Sequence, residues 1–311
     1  MRLLFAGTPD IAVPTLQALE DAGHDVVAVL TQPDAPGKRG RTLHPSPVKA
    51  HALERGFDVW TPEKASAPDV VARIRDLEID AAAVVAYGQI LRPALLDAVR
   101  LAWVNLHFSV LPAWRGAAPV QRAIMAGDDI TGASTFIIEK GLDTGPVIGL
   151  LTERIRVTDT AGTLLERLAH AGAPLMVQSL EALDSGAARP QAQVPDGITY
   201  AHKLTREDAY VQWELPAHAV DRRIRGCTPA PGAWTTLPDG TVAKLGPVSP
   251  RPQRAATVPG QLREEGGEVL VGTGTDPVAL GWIAPAGKKP MEAAAWWRGA
   301  RLGEGAQLGE A

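Results

Sequence analysis

The stretch RLLFAGTPDIAVPTLQALEDAGHDVVAVL, residues 2–30, decides the fold. It opens and closes on two short apolar runs, Arg2–Ala6 and Val26–Leu30, which have the length of strands buried on both faces. Between them, Pro14–Ala22 carries leucines at helical spacing. A strand, a helix and a second strand in this order predict a parallel βαβ unit.

The same alternation continues outward from this unit. Further apolar runs and amphipathic stretches follow in turn, and a long amphipathic stretch comes after them. This order predicts an α/β domain built on a doubly wound, mostly parallel sheet. The apolar runs are Ala81–Val85 and Trp103–Leu106, and the helical stretches are Pro47–Arg55, Pro68–Leu77 and Thr160–Leu183.

The composition changes after the long helical stretch. Residues 185–199 contain few large apolar side chains and two prolines, which is typical of a linker. The chain then becomes rich in Gly, Pro and Val, with short alternating runs such as Thr241–Leu245 that are typical of a small antiparallel barrel or sandwich. Gly299–Ala311 resembles a frayed tail. The predicted boundaries are a first domain over 1–187, a linker over 188–206 and an OB-like β-barrel domain over 207–311.

Composition excludes several classes of protein. The 311 residues are 45% hydrophobic and 21% charged, which is typical of a folded globular chain. The single cysteine, Cys227, cannot form an intramolecular disulfide, and no apolar run is long enough to span a bilayer. The net charge of −4 argues against a general binder of nucleic-acid backbones. We expect a cytoplasmic protein with no membrane and no DNA partner.

Polar residues stand where the predicted strands end. Ligands of open parallel sheets bind at the carboxyl ends of the strands, so these residues are candidates for a site. The first group, Gly7–Asp10, lacks the later glycines of a dinucleotide-binding fingerprint, and a cap on the next helix is the better interpretation. The other groups are Thr31–Asp34, Ala86–Gly88 and Asn105–His107.

Asn105 and His107 share one face of their strand because they are two residues apart. An amide donor and an imidazole on one face can stabilise an oxyanion, and the imidazole can also move a proton. The alternative is a hydrogen-bonded structural histidine at a strand end. The two residues alone leave both interpretations open.

Two loops downstream add to this group. Residues 109–121 contain two prolines, Gly116 and the pair Trp114-Arg115 before a predicted helix, and backbone amides in such a loop can bind the polar edge of a planar ligand. In the second loop, Asp143 stands between Gly141 and Gly145, where a tight turn can aim its carboxylate inward. An ordinary Asx turn is an equal alternative for this pentapeptide.

At these residues the sequence resembles a known family. NLHFSVLPAWRGAAPVQ with GLDTG downstream resembles the folate-dependent formyltransferases, and WRGAAPVQ is similar to the branch that acts on methionyl-tRNA. FAGTPD, TQPD with PSPVK, VVAYGQIL and PAGKKPM are similar to that branch too, in order along the chain. The resemblance implies a Rossmann-like catalytic domain and a C-terminal tRNA-binding domain. The implied reaction moves a formyl group from 10-formyltetrahydrofolate to initiator methionyl-tRNA, for translation initiation.

The resemblance also implies roles for individual residues. Asn105, His107 and Asp143 match the family's catalytic trio, and no metal is implied. Phe108 and Val110 depart from the family, in which glycine and leucine are common at these positions. Neither departure touches the trio. The implied folate-binding residues are Ser109, Val110, Leu111, Pro112, Tyr87 and Gly88, and the implied tRNA-binding residues are Arg39, Lys38 and Arg41.

Three rival functions remain open at this point. A formyltetrahydrofolate hydrolase or a sugar-nucleotide formyltransferase shares the trio, and a noncatalytic RNA-binding protein leaves it unexplained. The basic loop Gly37–Arg41 and the separate C-terminal domain favour the tRNA branch. In the C-terminal domain the candidates for RNA contact are Arg222, Arg223, Arg225, Lys288 and Lys289, with a solvated surface as the alternative.

Overall fold

The computed structural model describes residues 1–37, 42–303 and 305–309. Its contacts divide the chain into two compact units, neither of which is continuous in sequence. Two inner segments of the chain therefore belong to the second unit. The first unit comprises Met1–Gly116, Ile130–Arg154 and Leu165–Ala201, and the second comprises Ala117–Asp129, Ile155–Leu164 and His202–Ala311.

Within the described residues, the first unit is built on a seven-stranded sheet of order β5-β2-β1-β6-β7-β8-β9. The strands from β5 to β7 are parallel, and β8 and β9 run antiparallel to their neighbours. In chain order the strands are β1 (Arg2–Gly7), β2 (Asp25–Leu30), β3 (Ala35–Pro36), β4 (Leu43–His44), β5 (Val59–Trp60), β6 (Ala81–Val85), β7 (Trp103–His107), β8 (Ile130–Ile137) and β9 (Val147–Arg154).

Helices alternate with these strands. Several begin with proline in the first turn, where its missing N–H has no helical partner to lose. Ser46 caps α2, since its Oγ accepts from the N–H of Lys49 at 3.0 Å. The helices from α1 to α6 are α1 (Val13–Asp21), α2 (Pro47–Glu54), α3 (Pro68–Asp76), α4 (Pro93–Leu96), α5 (Pro119–Ala126) and α6 (Ala161–Asp184).

The predicted doubly wound sheet is confirmed. Leu3, Leu4, Phe5 and Ala6 of β1 are fully buried, which is why the strand is apolar after the exposed Arg2. The chain proceeds from β1 outward through β2 to β5 and then returns to place β6 on the other side of β1. This reversal creates a crevice at the carboxyl ends of β1 and β6, where open α/β sheets bind ligands.

The second unit contains two four-stranded antiparallel sheets, of order β10-β11-β16-β17 and β12-β15-β14-β13. This arrangement fits the predicted small barrel. Its strands are β10 (Trp234–Thr236), β11 (Val242–Leu245), β12 (Val248–Pro250), β13 (Leu262–Glu265), β14 (Glu268–Val271), β15 (Val278–Leu280), β16 (Trp282–Pro285) and β17 (Met291–Glu292), and its later helices are α7 (Ala217–Gly226) and α8 (Ala293–Ala300).

The C-terminal end of the chain is part of this second core. Leu308 is 3% exposed and belongs to the same apolar cluster as Trp213 and Trp296. The N–H of Leu308 also donates to the carbonyl of Gly260 at 2.9 Å. The expectation of a frayed tail is therefore wrong over the described residues 305–309, because one buried leucine and its backbone hydrogen bond anchor the segment.

Across the three described ranges, no helix is both long and apolar enough to cross a membrane.

Candidate active site

Asn105 lies in β7, paired through the backbone with Val84 on one side and Phe136 on the other. Its side chain is partly exposed at the carboxyl end of the strand. None of the described residues hydrogen-bonds the Asn105 amide, whereas most polar groups so close to a core have a partner. The NH2 group is therefore available as a donor to a ligand.

His107 ends the same strand and is only 5% exposed. Its Nε2 lies 2.9 Å from the carbonyl oxygen of Trp114. A carbonyl only accepts, so Nε2 carries the proton and donates it to Trp114. The ring also meets Phe136 edge to face, with centroids 6.4 Å apart. These contacts fix the imidazole plane and leave Nδ1 as the unprotonated nitrogen of the neutral ring.

Asp143 occupies the tight turn between β8 and β9 with a positive φ of 50°, a conformation that Asp tolerates better than most residues. Its Oδ2 accepts from the N–H of Gly116 at 2.7 Å and lies 3.7 Å from Nδ1 of His107. The turn thus aims the carboxylate at the imidazole, as the glycines around Asp143 predict. The structure brings the three expected residues to one end of the sheet.

Burial lowers the pKa of His107 below its ordinary value. The Asp143 carboxylate and the hydrogen bond to the Trp114 carbonyl act in the opposite direction, but the loss of hydration is the larger effect. His107 is therefore neutral at neutral pH. A neutral ring with its proton on Nε2 can accept a second proton at Nδ1, and Asp143 is placed to stabilise the resulting charge.

The segment Ser109–Pro112 follows β7 and is anchored on β8. The Oγ of Ser134 donates to the Ser109 carbonyl at 2.8 Å and accepts from the Leu111 N–H at 3.1 Å. Ser109 is fully buried, whereas Val110 and Pro112 are partly exposed. The expected folate-contacting segment is thus a rigid loop that directly adjoins His107.

Tyr87 was expected to bind folate, but its side chain lies in the core. Its ring is 2% exposed and lies in the apolar core with Leu95 and Trp103, and burial raises its pKa to about 12. Its carbonyl accepts from Thr8 Oγ1 at 2.8 Å and from Gln32 Nε2 at 3.2 Å, which ties three strand ends together. Any ligand contact at this position therefore falls to the exposed Gly88 and the backbone.

The predicted tRNA-binding residues Lys38, Arg39 and Arg41 lie outside the described residues. The residues on either side form the short hairpin of β3 and β4, in which Ala35 pairs with His44. An ion pair between Lys49 and Asp34, at 2.7 Å, joins α2 to the chain just before that hairpin.

The sequence did not predict the contacts that two parts of the chain make around the site. The first is the tripeptide Trp114–Gly116, whose backbone contacts His107 and Asp143; the WRG motif marks it, but nothing in the motif indicates those contacts. The second is Gln193, whose Nε2 donates to the carbonyls of Asp143 and Gly145, both at 2.8 Å. The stretch around Gln193 has the composition of a linker and gives no sign of this role.

A metal centre is absent from the described parts of the chain, in which no group of three or more His, Cys, Asp or Glu side chains is placed to hold an ion.

Two family models match this chain. The formyl transferase family model matches residues 1–180, and the model of the formyl transferase C-terminal domain matches residues 203–301. The chain belongs to the formyl transferase family. The family identified from the NLHFS and WRGAAPVQ motifs is thereby confirmed.

Relatives and solved structures extend this result. A Thermobifida fusca (strain YX) protein named methionyl-tRNA formyltransferase is 55% identical over 310 residues, covering 100% of both chains. An Arthrobacter sp. (strain FB24) protein of the same name is 58% identical and covers 96% of this chain and 97% of its own. HypX from Aquifex aeolicus, solved with tetrahydrofolic acid, has a TM-score of 0.64 at 17% identity, over 95% of this chain and 46% of HypX. That likeness shows the fold alone.

Proposed function

We propose that the protein transfers the formyl group of 10-formyltetrahydrofolate to the α-amino group of initiator methionyl-tRNA. The observation that carries the proposal is the grouping of Asn105, His107 and Asp143 at the carboxyl end of β7, in a chain whose full-length relatives are named methionyl-tRNA formyltransferase. The product, N-formylmethionyl-tRNA, serves translation initiation, and this role places the protein in the cytoplasm.

Asn105 acts on the formyl oxygen. The substrate amine attacks the formyl carbon, so that a C–N bond forms while negative charge builds on that oxygen. The unpaired NH2 group of Asn105 donates to it, and a preorganised donor of this kind contributes about 3–4 kcal/mol of barrier lowering. No side chain of the enzyme attacks the carbon, and the trio contains no activated Ser or Cys.

His107 acts on the protons. The attacking amine loses a proton, which the neutral imidazole accepts at Nδ1, and the carboxylate of Asp143 stabilises the imidazolium. The bond between the formyl carbon and the folate nitrogen then breaks, and the departing nitrogen takes up a proton. His107 returns to its neutral form, so atoms and charge balance over one turnover.

The residues beside the trio suit a folate donor. Ser109–Pro112 adjoins His107 as a loop held by Ser134, with Val110 and Pro112 partly exposed, which suits packing against the face of the folate ring system. The exposed Gly88 has a φ of +86° and brings bare backbone to the same edge of the sheet. We assign these residues, with the backbone of Tyr87, to the donor.

The tRNA contacts are assigned on the resemblance. Arg39, with Lys38 and Arg41, is the group expected to contact the acceptor end. In Arg39→Ala we expect the KM for methionyl-tRNA to rise while the affinity for the folate donor stays unchanged. Arg92→Ala, an exposed arginine outside this loop, is the control. An unchanged KM for methionyl-tRNA in Arg39→Ala would remove Arg39 from the tRNA site.

One spectroscopic assay tests the proposed function. Release of tetrahydrofolate is followed after addition of initiator methionyl-tRNA, uncharged tRNA, an amino-sugar nucleotide or buffer. We expect rapid release with methionyl-tRNA, matched mole for mole by N-formylmethionyl-tRNA. Equal release in buffer indicates a hydrolase, release with the sugar indicates a sugar formyltransferase, and release with none of them indicates a noncatalytic protein.

A further inference from the structure

Arg115 is a buried cation that pairs with no carboxylate among the described residues. Its side chain is 6% exposed, and among the described residues only Gln193 hydrogen-bonds it. Both Nε and Nη2 of Arg115 donate to Oε1 of Gln193, at 3.0 and 2.7 Å. Burying a charge is costly unless it is well hydrogen-bonded. The two hydrogen bonds to Gln193 therefore stabilise the buried guanidinium, and they restrict the conformations of both side chains.

The other end of the Gln193 amide holds the turn that carries Asp143. Its Nε2 donates to the carbonyls of Asp143 and Gly145, the residues on either side of Thr144, at 2.8 Å each. The Gln193 amide is therefore held at both ends, since its oxygen accepts from Arg115 and its nitrogen donates to the turn.

The segment that carries Gln193 is itself fastened to the site. Gln191 pairs with Val147 in both directions at 2.8 Å, and Thr199 accepts from the N–H of Arg115 at 2.9 Å through its carbonyl. The Oγ1 of Thr199 also accepts from the N–H of Trp114 at 2.8 Å. Trp114 and Arg115 belong to the tripeptide Trp114–Gly116, which supplies the Trp114 carbonyl to His107 and the Gly116 N–H to Asp143.

We propose that Gln193 is a positioning residue for the reaction, holding the Asp143 turn against the Trp114–Gly116 tripeptide so that the carboxylate faces His107. The inference deepens the proposed formyl transfer and rests on it. Gln193 touches no reacting atom. It acts through Asp143, whose Oδ2 lies 3.7 Å from Nδ1 of His107, a separation that a small movement of the turn would change.

The test compares Gln193→Met with Gln191→Met. Methionine keeps the length of glutamine but lacks its donor and acceptor. Gln191 is the matched control, because within the described ranges its side chain donates to the exposed Arg189 carbonyl and to no other group. In Gln193→Met we expect kcat for formylation of methionyl-tRNA to fall about 10- to 100-fold, the scale of a misplaced catalytic group, with both KM values unchanged. Gln191→Met should match the wild type.

A third variant, Gln193→Glu, guards against a folding defect. Glutamate still accepts from Arg115 but cannot donate to the two carbonyls, so the fold should keep its thermal midpoint while kcat falls as in Gln193→Met. Full turnover in Gln193→Glu would show that Gln193 serves Arg115 alone, and it would overturn the inference.

A second readout does not depend on turnover. The imidazole of His107 is titrated by ¹⁵N NMR, with the signal assigned by its loss in His107→Gln. The Asp143 carboxylate lies beside this ring and raises the His107 pKa, so its displacement in Gln193→Met should lower that pKa further, with no change in Gln191→Met. An unchanged pKa would overturn the inference. Failure of the wild type to formylate would instead refute the proposed function, and the titration would still decide the role of Gln193.

Discussion

At the scale of single residues, the side-chain amide of Asn105 determines how well the developing charge is stabilised. Its unpaired NH2 group is the proposed donor to the formyl oxygen. Asn105→Asp keeps the shape of the side chain but replaces the donor with a carboxylate that repels the developing charge. We expect kcat to fall more in Asn105→Asp than in Asn105→Ala, measured at saturating concentrations of both substrates. Equal turnover in Asn105→Asp and the wild type would exclude a donor role.

The pKa of His107 sets the pH dependence, and Asp143 modulates it. The neutral form of His107 is the proposed proton acceptor, so turnover is present above the His107 pKa and lost as the pH falls through it. Burial lowers that pKa, which extends activity to lower pH than an ordinary histidine allows, and Asp143 opposes the shift. Asp143→Asn should therefore move the acidic limb of kcat to still lower pH and reduce the plateau.

The exposed carboxylate Asp97 provides the control for this profile. Asp97→Asn should reproduce the wild-type limb and plateau. Activity that is lost as the pH rises through the His107 pKa, with this basic limb at lower pH in Asp143→Asn, would mean that the protonated imidazole is the active form, contrary to the neutral His107 described above.

At the scale of elements, β8 anchors the loop that follows β7. Ser134 is fully buried and satisfies both the Ser109 carbonyl and the Leu111 N–H, so Ser134→Ala leaves two backbone groups without partners. We expect the free energy of unfolding to fall by about 1–3 kcal/mol and the KM for 10-formyltetrahydrofolate to rise. Chemical denaturation and steady-state kinetics measure the two effects.

The same strand offers a matched control. Thr131 is 4% exposed, and its hydroxyl has no hydrogen-bond partner among the described residues. Thr131→Val removes a buried hydroxyl that is not satisfied, so stability should stay the same or rise. A loss of stability in Thr131→Val as large as that in Ser134→Ala would show that any change in β8 is disruptive.

Strands with a continuous apolar pattern could be predicted from the sequence, whereas a strand whose buried residues are small or polar could not. Ala81–Val85 was predicted with the observed bounds because all five side chains are apolar and buried on both faces. The strand β8 escaped prediction because its sequence, ITGASTFI, contains small and polar residues that are buried by hydrogen bonds. Gln193 escaped for a related reason, since its segment is held by polar contacts and carries almost no apolar pattern.

The trio was expected from the family resemblance, because the residues alone left other interpretations open, and their local chemistry explains how they can converge. The spacing of Asn105 and His107 places both on one face, and the glycines around Asp143 permit the turn that aims its carboxylate. The protonation state of His107 was not predictable, because it depends on burial and on the Trp114 carbonyl, which only the folded chain reveals. The domain boundaries placed after residues 187 and 206 stay a prediction.

At the scale of the whole molecule, four of the five basic residues proposed for RNA contact fall into two groups, and the partly exposed Arg222 stays a candidate. Arg223 donates to the carbonyls of Asp208 and Tyr210, and Arg225 is 8% exposed and paired with Asp221. These two arginines hold the second unit together. Lys288 and Lys289 are exposed in the connection after β16 and remain candidates for phosphate contacts.

The salt dependence of tRNA affinity tests this division. Each phosphate contact contributes a slope of about 0.9 to the plot of log affinity against log salt. Lys288→Ala with Lys289→Ala should therefore weaken methionyl-tRNA binding and reduce the slope by about 2, whereas the exposed Lys64→Ala should leave it unchanged. A slope that is identical in the double variant and the wild type would remove this connection from the tRNA surface.

The central claim is that the trio around His107 transfers a formyl group to methionyl-tRNA. Single-turnover formation of N-formylmethionyl-tRNA, with enzyme in excess over both substrates, tests it most directly because binding and product release do not contribute. His107→Ala should slow this step at least about a hundredfold, or about 2.7 kcal/mol in barrier, while the exposed His170→Ala keeps the wild-type rate. A His107→Ala enzyme that formylates methionyl-tRNA at the wild-type rate would contradict the claim.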